Sequence, residues 1–154
     1  MSSPDVASRP SAIAGLGLFA LRAFGPGERI APYLGAVTRE PPGGVTSGEK
    51  VFALEIAPGR WLDGSAAENP GRHANHACHP NAELVWHEEE SAAWLTARQP
   101  IAADEEITFD YGFSLAESLF QPCSCGAADC VGRIIATPLR PALRRHLRFS
   151  RPRD

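Results

Sequence analysis

A chain of 154 residues, 44% hydrophobic and 21% charged, has the size and composition of one globular domain with a real core, which excludes a disordered or fibrous chain. Its net charge of −3 divides into an acidic body and a basic end: residues 1–139 carry 9 Lys and Arg against 17 Asp and Glu, and residues 140–154 carry 6 against 1. Only Lys50 among the 15 basic residues is a lysine, so it is the one side-chain amine the chain could offer to its own chemistry.

No run of about 18 apolar residues occurs, and residues 1–10 lack the basic start and apolar stretch of a secretory signal. A cytoplasmic location and no membrane partner are therefore expected. Residues 1–10 read as a flexible N-terminus. Beyond them, short period-2 stretches predict strands at 13–20, 29–34, 51–56, 84–86, 93–97 and 106–109, with turn residues in almost every interval. Residues 41–48 read as an exposed loop. Helices are expected only at 114–120 and 141–149, which makes the chain mainly β.

Gly15-Leu16-Gly17-Leu18 is the first candidate site, because glycines let a backbone approach a ligand closely. A bare hairpin would carry the same pair. A dinucleotide fingerprint would need a helix immediately afterwards, and Gly25-Pro26-Gly27 interrupts it. The second candidate, from Arg72 to Asn81, is dense in polar side chains: His73, Asn75, His76, Cys78 and His79. It cannot continue as a helix past Pro80 and is expected to be a buried or ligand-lining loop. A nucleophilic Cys/His site there lacks an orienting carboxylate in the spacing, and an Asn/His loop that only satisfies buried backbone groups remains an alternative. In the third candidate, Glu106 to Gly112, strand alternation puts Phe109 and Tyr111 on one face and Asp110 on the other, either as core or as one aromatic wall.

Cys123, Cys125 and Cys130 place three thiols within eight residues. Tetrahedral zinc needs four ligands, and the one remaining cysteine is Cys78, so the spacing joins the second candidate to this one in a closed structural site. Without an export signal, two disulfides are disfavoured; four free thiols remain the plain alternative.

Taken in order, Gly15-x-Gly17, Tyr33-x-Gly35, Arg72-x-x-Asn75-His76-x-Cys78-x-Pro80-Asn81, Phe109-Asp110-Tyr111 and Cys123-x-Cys125-x4-Cys130 resemble SET-domain protein-lysine methyltransferases with post-SET cysteines. The resemblance implies a SET fold of several short, mostly antiparallel sheets with a pseudoknot-like C-terminal segment. It divides the chain into a catalytic domain at 11–120 and a zinc-binding post-SET segment at 121–133, followed by the basic tail at 134–154 that holds the helix expected at 141–149. It also implies an enzyme that transfers a methyl group from S-adenosyl-L-methionine to a lysine of a protein, histone or histone-like in type. The methyl donor would be held by Leu16, Gly17, Leu18, Arg72, His73, Asn75, His76 and Tyr111. Tyr111, Tyr33 and Phe109 would form the catalytic lysine channel, and Cys78, Cys123, Cys125 and Cys130 would hold structural Zn2+. A zinc-stabilised module that binds a peptide or S-adenosyl-L-methionine without turnover is the reading from another class. His73 and Ala36 depart from the family pattern.

The expected partner is a lysine-containing protein or peptide. Nucleic acid is disfavoured by the acidic body, and the arginines at the end of the chain are expected to dock on the same or a neighbouring subunit. The sequence leaves the oligomeric state open.

Overall fold

A computed structural model describes residues 3–40 and 51–150. The loop expected at 41–48, Lys50, and the terminal Arg151 and Arg153 lie outside the described residues. The described residues form ten short strands and two α-helices, in agreement with the mainly β expectation.

The first sheet runs β1-β2-β10-β7, with β1 at Val6–Pro10, β2 at Leu16–Ala20, β7 at Asn75–His76 and β10 at Glu106–Phe109. Its first three strands are antiparallel, whereas β7 lies parallel to β10, with Asn75 opposite Thr108 and His76 opposite Phe109. This short parallel pairing brings a residue 31 positions upstream beside Glu106. Strand β1 corrects the expected flexible N-terminus: residues 6–10 pair with β2 along their whole length. Only Val6 of that strand is buried, so there is no apolar alternation to read; backbone hydrogen bonds, which carry no side-chain signature, hold it in place.

The second sheet runs β3-β9-β8, from Arg29–Tyr33, Ala92–Ala97 and Ala82–His87. The central strand, β9, buries Ala93, Leu95 and Ala97 at alternate positions, as a strand with one face on the core must. Pro32 is tolerated in β3 because β3 is an edge strand, where a missing N–H costs no ladder bond.

The third sheet runs β4-β6-β5, from Ala36–Thr38, Arg60–Asp63 and Ala53–Ala57. Gly35 at its start has no room for a side chain: a Cβ there would lie 1.8 Å from the Asp63 carbonyl oxygen. That approach is the physical content of the Tyr33-x-Gly35 spacing. The three sheets surround one apolar core containing Leu18, Ile30, Leu54, Leu95, Ile107 and Phe109. Full burial of each large member stabilises by about 1.5–3 kcal/mol.

The helices are minor, as expected. A single turn, α1 at Leu115–Ser118, is closed by a capping box between Ser114 and Glu117. Helix α2, Arg140–Phe149, follows a 3-10 turn at Thr137–Leu139. Among the described residues, no helix is long and apolar enough to cross a membrane.

Candidate active site

Asn75 is the hub of the site. Its side-chain amide, buried at the crossing of β7 and β10, donates to the carbonyls of Ala14 and Leu16 at 3.1 Å each and to Glu106 Oε1 at 3.0 Å. Ser11 Oγ donates to both oxygens of the same carboxylate, at 2.8 and 2.9 Å. One amide and one carboxylate thus tie the Gly15–Gly17 turn to β10. Gly17 is needed here for space, since a Cβ would lie 2.2 Å from Glu106 Oε1. Glu106 and Ser11 were missed in the sequence reading: single polar residues in an apolar strand and a turn give no signal until the pairing partner is known.

His76, one residue on, accepts a hydrogen bond at Nδ1 from the Tyr111 main-chain N–H at 3.1 Å. Burial pulls its pKa down to about 4, against the opposing pull of Asp110, so the ring is neutral. A neutral imidazole that accepts at Nδ1 carries its proton on Nε2. That Nε2 is buried without a protein partner, an orphaned donor that a ligand's acceptor would satisfy.

The Tyr111 hydroxyl donates to the Ala74 carbonyl at 2.8 Å, which fixes its proton and leaves the oxygen lone pairs for another group. Burial raises this phenol well above its ordinary range, so it stays protonated and is no simple general base. Its ring packs against His76, Phe109 and Phe113 with centroids 5.5, 4.9 and 5.6 Å away, which gives Phe109 and Tyr111 the shared wall that alternation predicts. Asp110 accepts from Gly112 N–H and from both the N–H and hydroxyl of Thr137.

Two cavities meet at Tyr111. One, of about 250 Å³, is lined by Asn75, His76, Phe113 and Cys123. The other, of about 640 Å³, is lined by Phe109, Asp110, Leu84 and Trp86. Tyr111 lines both, and no other described residue does. Tyr33 stands further back: it is buried, lies edge-on to Phe109 at 6.2 Å and donates its hydroxyl to the Phe52 carbonyl at 2.8 Å. It lines neither cavity.

The eight residues expected around the methyl donor do not all share one cavity. Asn75, His76 and Tyr111 line the smaller of the two, whereas Leu18, Arg72 and His73 line a separate one of about 360 Å³ beside β1. Leu16 reaches the first group through its carbonyl, on Asn75, and Gly17 through its lack of a side chain. His73 faces Ser8, with Nδ1 2.8 Å from the hydroxyl oxygen, and the Arg72 guanidinium lies over the Phe52 ring at 4.9 Å. The two cavities share no lining residue, a division that motif spacing along one loop does not reveal.

The four cysteines converge as their count requires. All four Sγ atoms lie within 4.8 Å of one another, with Cys78 3.6 Å from Cys130 and 4.0 Å from Cys123. The thiols are free; the separations are far beyond a disulfide's roughly 2.05 Å but close to the edge of about 3.8 Å of a tetrahedron built on metal–sulfur bonds of about 2.3 Å. Burial pushes the Cys78 thiol up to about 11. Burial also opposes ionisation of Cys125, but N–H groups of Cys78 and Ala127 outweigh it and bring that thiol down to about 7. Only a cation would make four thiolates stable together. The donor set, all sulfur and tetrahedrally spaced, fits a soft or borderline metal ion.

Comparison with known proteins agrees with this geometry. The family model for the SET domain matches residues 15–112. The histone-lysine N-methyltransferase SETD1 of Drosophila melanogaster is 32% identical over 133 residues, covering 80% of this chain but 8% of the relative. The H3 lysine-36 specific histone-lysine N-methyltransferase of Yarrowia lipolytica is 33% identical over 134 residues, covering 77% of this chain and 16% of the relative. The chain thus spans a small part of the length of the relatives it matches. Among solved structures, KRYPTONITE in complex with mCHH DNA, an H3(1-15) peptide and SAH superposes with a TM-score of 0.65 at 25% identity, over 84% of this chain and 29% of that one. The family match begins at the glycine turn that Asn75 holds and ends one residue past Tyr111, and the chain belongs to the SET domain family.

Proposed function

We propose that this chain is a protein-lysine N-methyltransferase that uses S-adenosyl-L-methionine. The observation that carries the reading is Tyr111, the single side chain shared by two cavities. A transfer between a bound donor and a bound acceptor needs two separate chambers that meet at the reacting atoms. The smaller chamber, with its glycine turn, Asn75 and the orphaned His76 donor, suits the methyl donor, which when bound supplies a methyl group on a sulfonium. The faces of Tyr111 and Phe113 suit that positive charge.

The larger chamber suits a peptide. Strands β5 and β8, each an edge of its sheet, both line it, so an extended segment can pair with exposed backbone there. Leu54, Ile56, Leu84 and Trp86 give it an apolar floor. A lysine reaching Tyr111 from this side passes Phe109, and loss of hydration favours its neutral, nucleophilic form; full burial lowers a lysine pKa by up to about 3–5 units. The Tyr111 oxygen, its proton committed to Ala74, presents lone pairs that orient the amine. Holding both partners in line lowers the barrier by up to about 7–11 kcal/mol.

The substrate class we infer is a lysine-rich protein, histone or histone-like, attracted by the acidic body. The neighbouring structure's complex holds DNA as well as peptide, and only the acidic body argues against nucleic acid as a direct ligand here. For the cysteine cluster we infer structural zinc bound in a post-SET segment, since four ligands leave no open position for water. Free thiols suit a reducing compartment, and we place the protein in the cytoplasm.

Incubating the protein and its Tyr111→Phe variant with methyl-labelled donor and fractionated lysate tests the reading. Lysine labelling by the wild type that falls at least a hundredfold in the variant is expected. Donor binding without any labelling would leave only a binding module.

A further inference from the structure

The arginine-rich end of the chain lies outside the matched family region, and its first two arginines are committed to the cysteine cluster. Arg140 is 9% exposed and its Nη2 donates to the carbonyl of Cys78. One turn later, Arg144 Nη2 donates to the carbonyl of Asp129, beside Cys130, at 3.3 Å. Leu143, between them, is fully buried and seats the helix. Just upstream, Thr137 gives two hydrogen bonds of 2.9 Å to Asp110 Oδ2, and Ala136 N–H donates to the Phe113 carbonyl at 3.0 Å. The stretch from Ala136 to Arg144 therefore grips the cysteine loop at one end and both flanks of Tyr111 at the other.

The charge arithmetic explains why these residues are arginines. A divalent ion with four thiolates carries a net charge of −2, and N–H donors and positive charge around such a centre stabilise it. The Gly132 N–H, 3.4 Å from Cys130 Sγ, supplies one donor. Arg140 and Arg144 bring two positive charges to the carbonyls of Cys78 and Asp129, at the edge of the cluster. A guanidinium does so with a rigid fork that also bonds a carbonyl, which an ammonium does less well.

We propose that Arg140 and Arg144 are positioning residues: they neutralise the metal–thiolate cluster and, through Thr137 and Asp110, hold the Tyr111 loop in place against it. This rests on the reading of the cluster as a zinc site and of Tyr111 as the transfer residue. Arg145, exposed on the same helix and without a described partner, is the control that removes an equal charge without touching the cluster.

The test compares full-length wild type, Arg140→Gln, Arg140→Lys, Arg144→Gln and Arg145→Gln. Zinc release into excess chromophoric chelator is expected to be about 10–100-fold faster in Arg140→Gln. Arg144→Gln should shift in the same direction, Arg140→Lys should recover part of the loss, and Arg145→Gln should match wild type. At saturating zinc, Arg140→Gln should lower kcat for peptide methylation about tenfold while donor Kd stays unchanged. Equal release rates in Arg140→Gln and Arg145→Gln would overturn the proposal, as would an unchanged kcat. If Arg140→Gln does not fold, Arg144→Gln and Arg140→Lys carry the same comparison. Wild type that takes up no zinc, or labels no lysine, would instead refute the reading on which the proposal rests.

Discussion

Tyr111 shows how much one side chain can be asked to do. Replacing it with phenylalanine keeps the ring that separates the two cavities and removes the oxygen. Two effects follow. The buried Ala74 carbonyl loses its donor, which costs about 1–3 kcal/mol of stability. The incoming amine loses its orienting group, and removal of one preorganised polar group from a reaction centre lowers kcat by about 10²–10³. A variant with wild-type kcat and a lowered Tm would show that the hydroxyl serves only the fold. Phe109 makes a second prediction at this scale. It is 1% exposed, with the Tyr111 and Tyr33 ring centroids 4.9 and 6.2 Å from its own. A phenylalanine here carries no hydroxyl that could hold a water beside the incoming amine, which leaves room for methyl groups already on it. Wild type is therefore expected to form di- or trimethyl-lysine at exhaustive turnover, and Phe109→Tyr to stop largely at monomethyl-lysine, as read by mass spectrometry of the product peptide.

At the scale of elements, the parallel meeting of β7 and β10 decides whether there is a site at all. Asn75 fastens it to the glycine turn, with four acceptors around one amide. Asn75→Ala strands Glu106 and two carbonyls, and we expect a loss of about 2–4 kcal/mol, or a fall in Tm of roughly 5–15 °C for a chain of this length. Asn75→Asp is expected to be worse, because it replaces donors with a second carboxylate beside Glu106. Thermal melts of the two variants check the order; an Asp variant as stable as the Ala variant would mean that the network is solvated. This contact also marks what could be read from sequence. Asn75, His76, Tyr111 and the four cysteines announce themselves because rare polar types recur at fixed spacings in apolar surroundings. Ser11, Glu106, Thr137 and Arg140 do not, since their partners lie 27 to 95 positions away. Strand β6 was missed because one buried leucine between Trp61 and Asp63 shows no alternation. The grouping of Leu18 and Arg72 around a different cavity from Asn75 is fixed only when the strands pair.

For the whole molecule, the decisive fact is that the three sheets are built without residues 121–133. The cysteine segment joins them through Cys78 and through α2, and the Ile134 N–H bond to the Gln121 carbonyl closes the segment's own base. Its order is thus expected to depend on the metal, whose binding in small zinc domains is worth about 10–16 kcal/mol, while the core of Leu18, Leu95, Ile107 and Phe109 does not involve it. Stripping the metal with a chelator should then leave the β signal in far-ultraviolet circular dichroism nearly intact. Peptide methylation should nevertheless be lost, because Cys123 and Ser124 form part of the donor cavity and Cys78 part of the peptide cavity. Readdition of zinc should restore activity without a refolding step. Complete loss of the β signal on chelation would mean that the sheets are not independent of the cluster. Full activity in protein shown by elemental analysis to be metal-free would mean that the four thiols shape neither chamber.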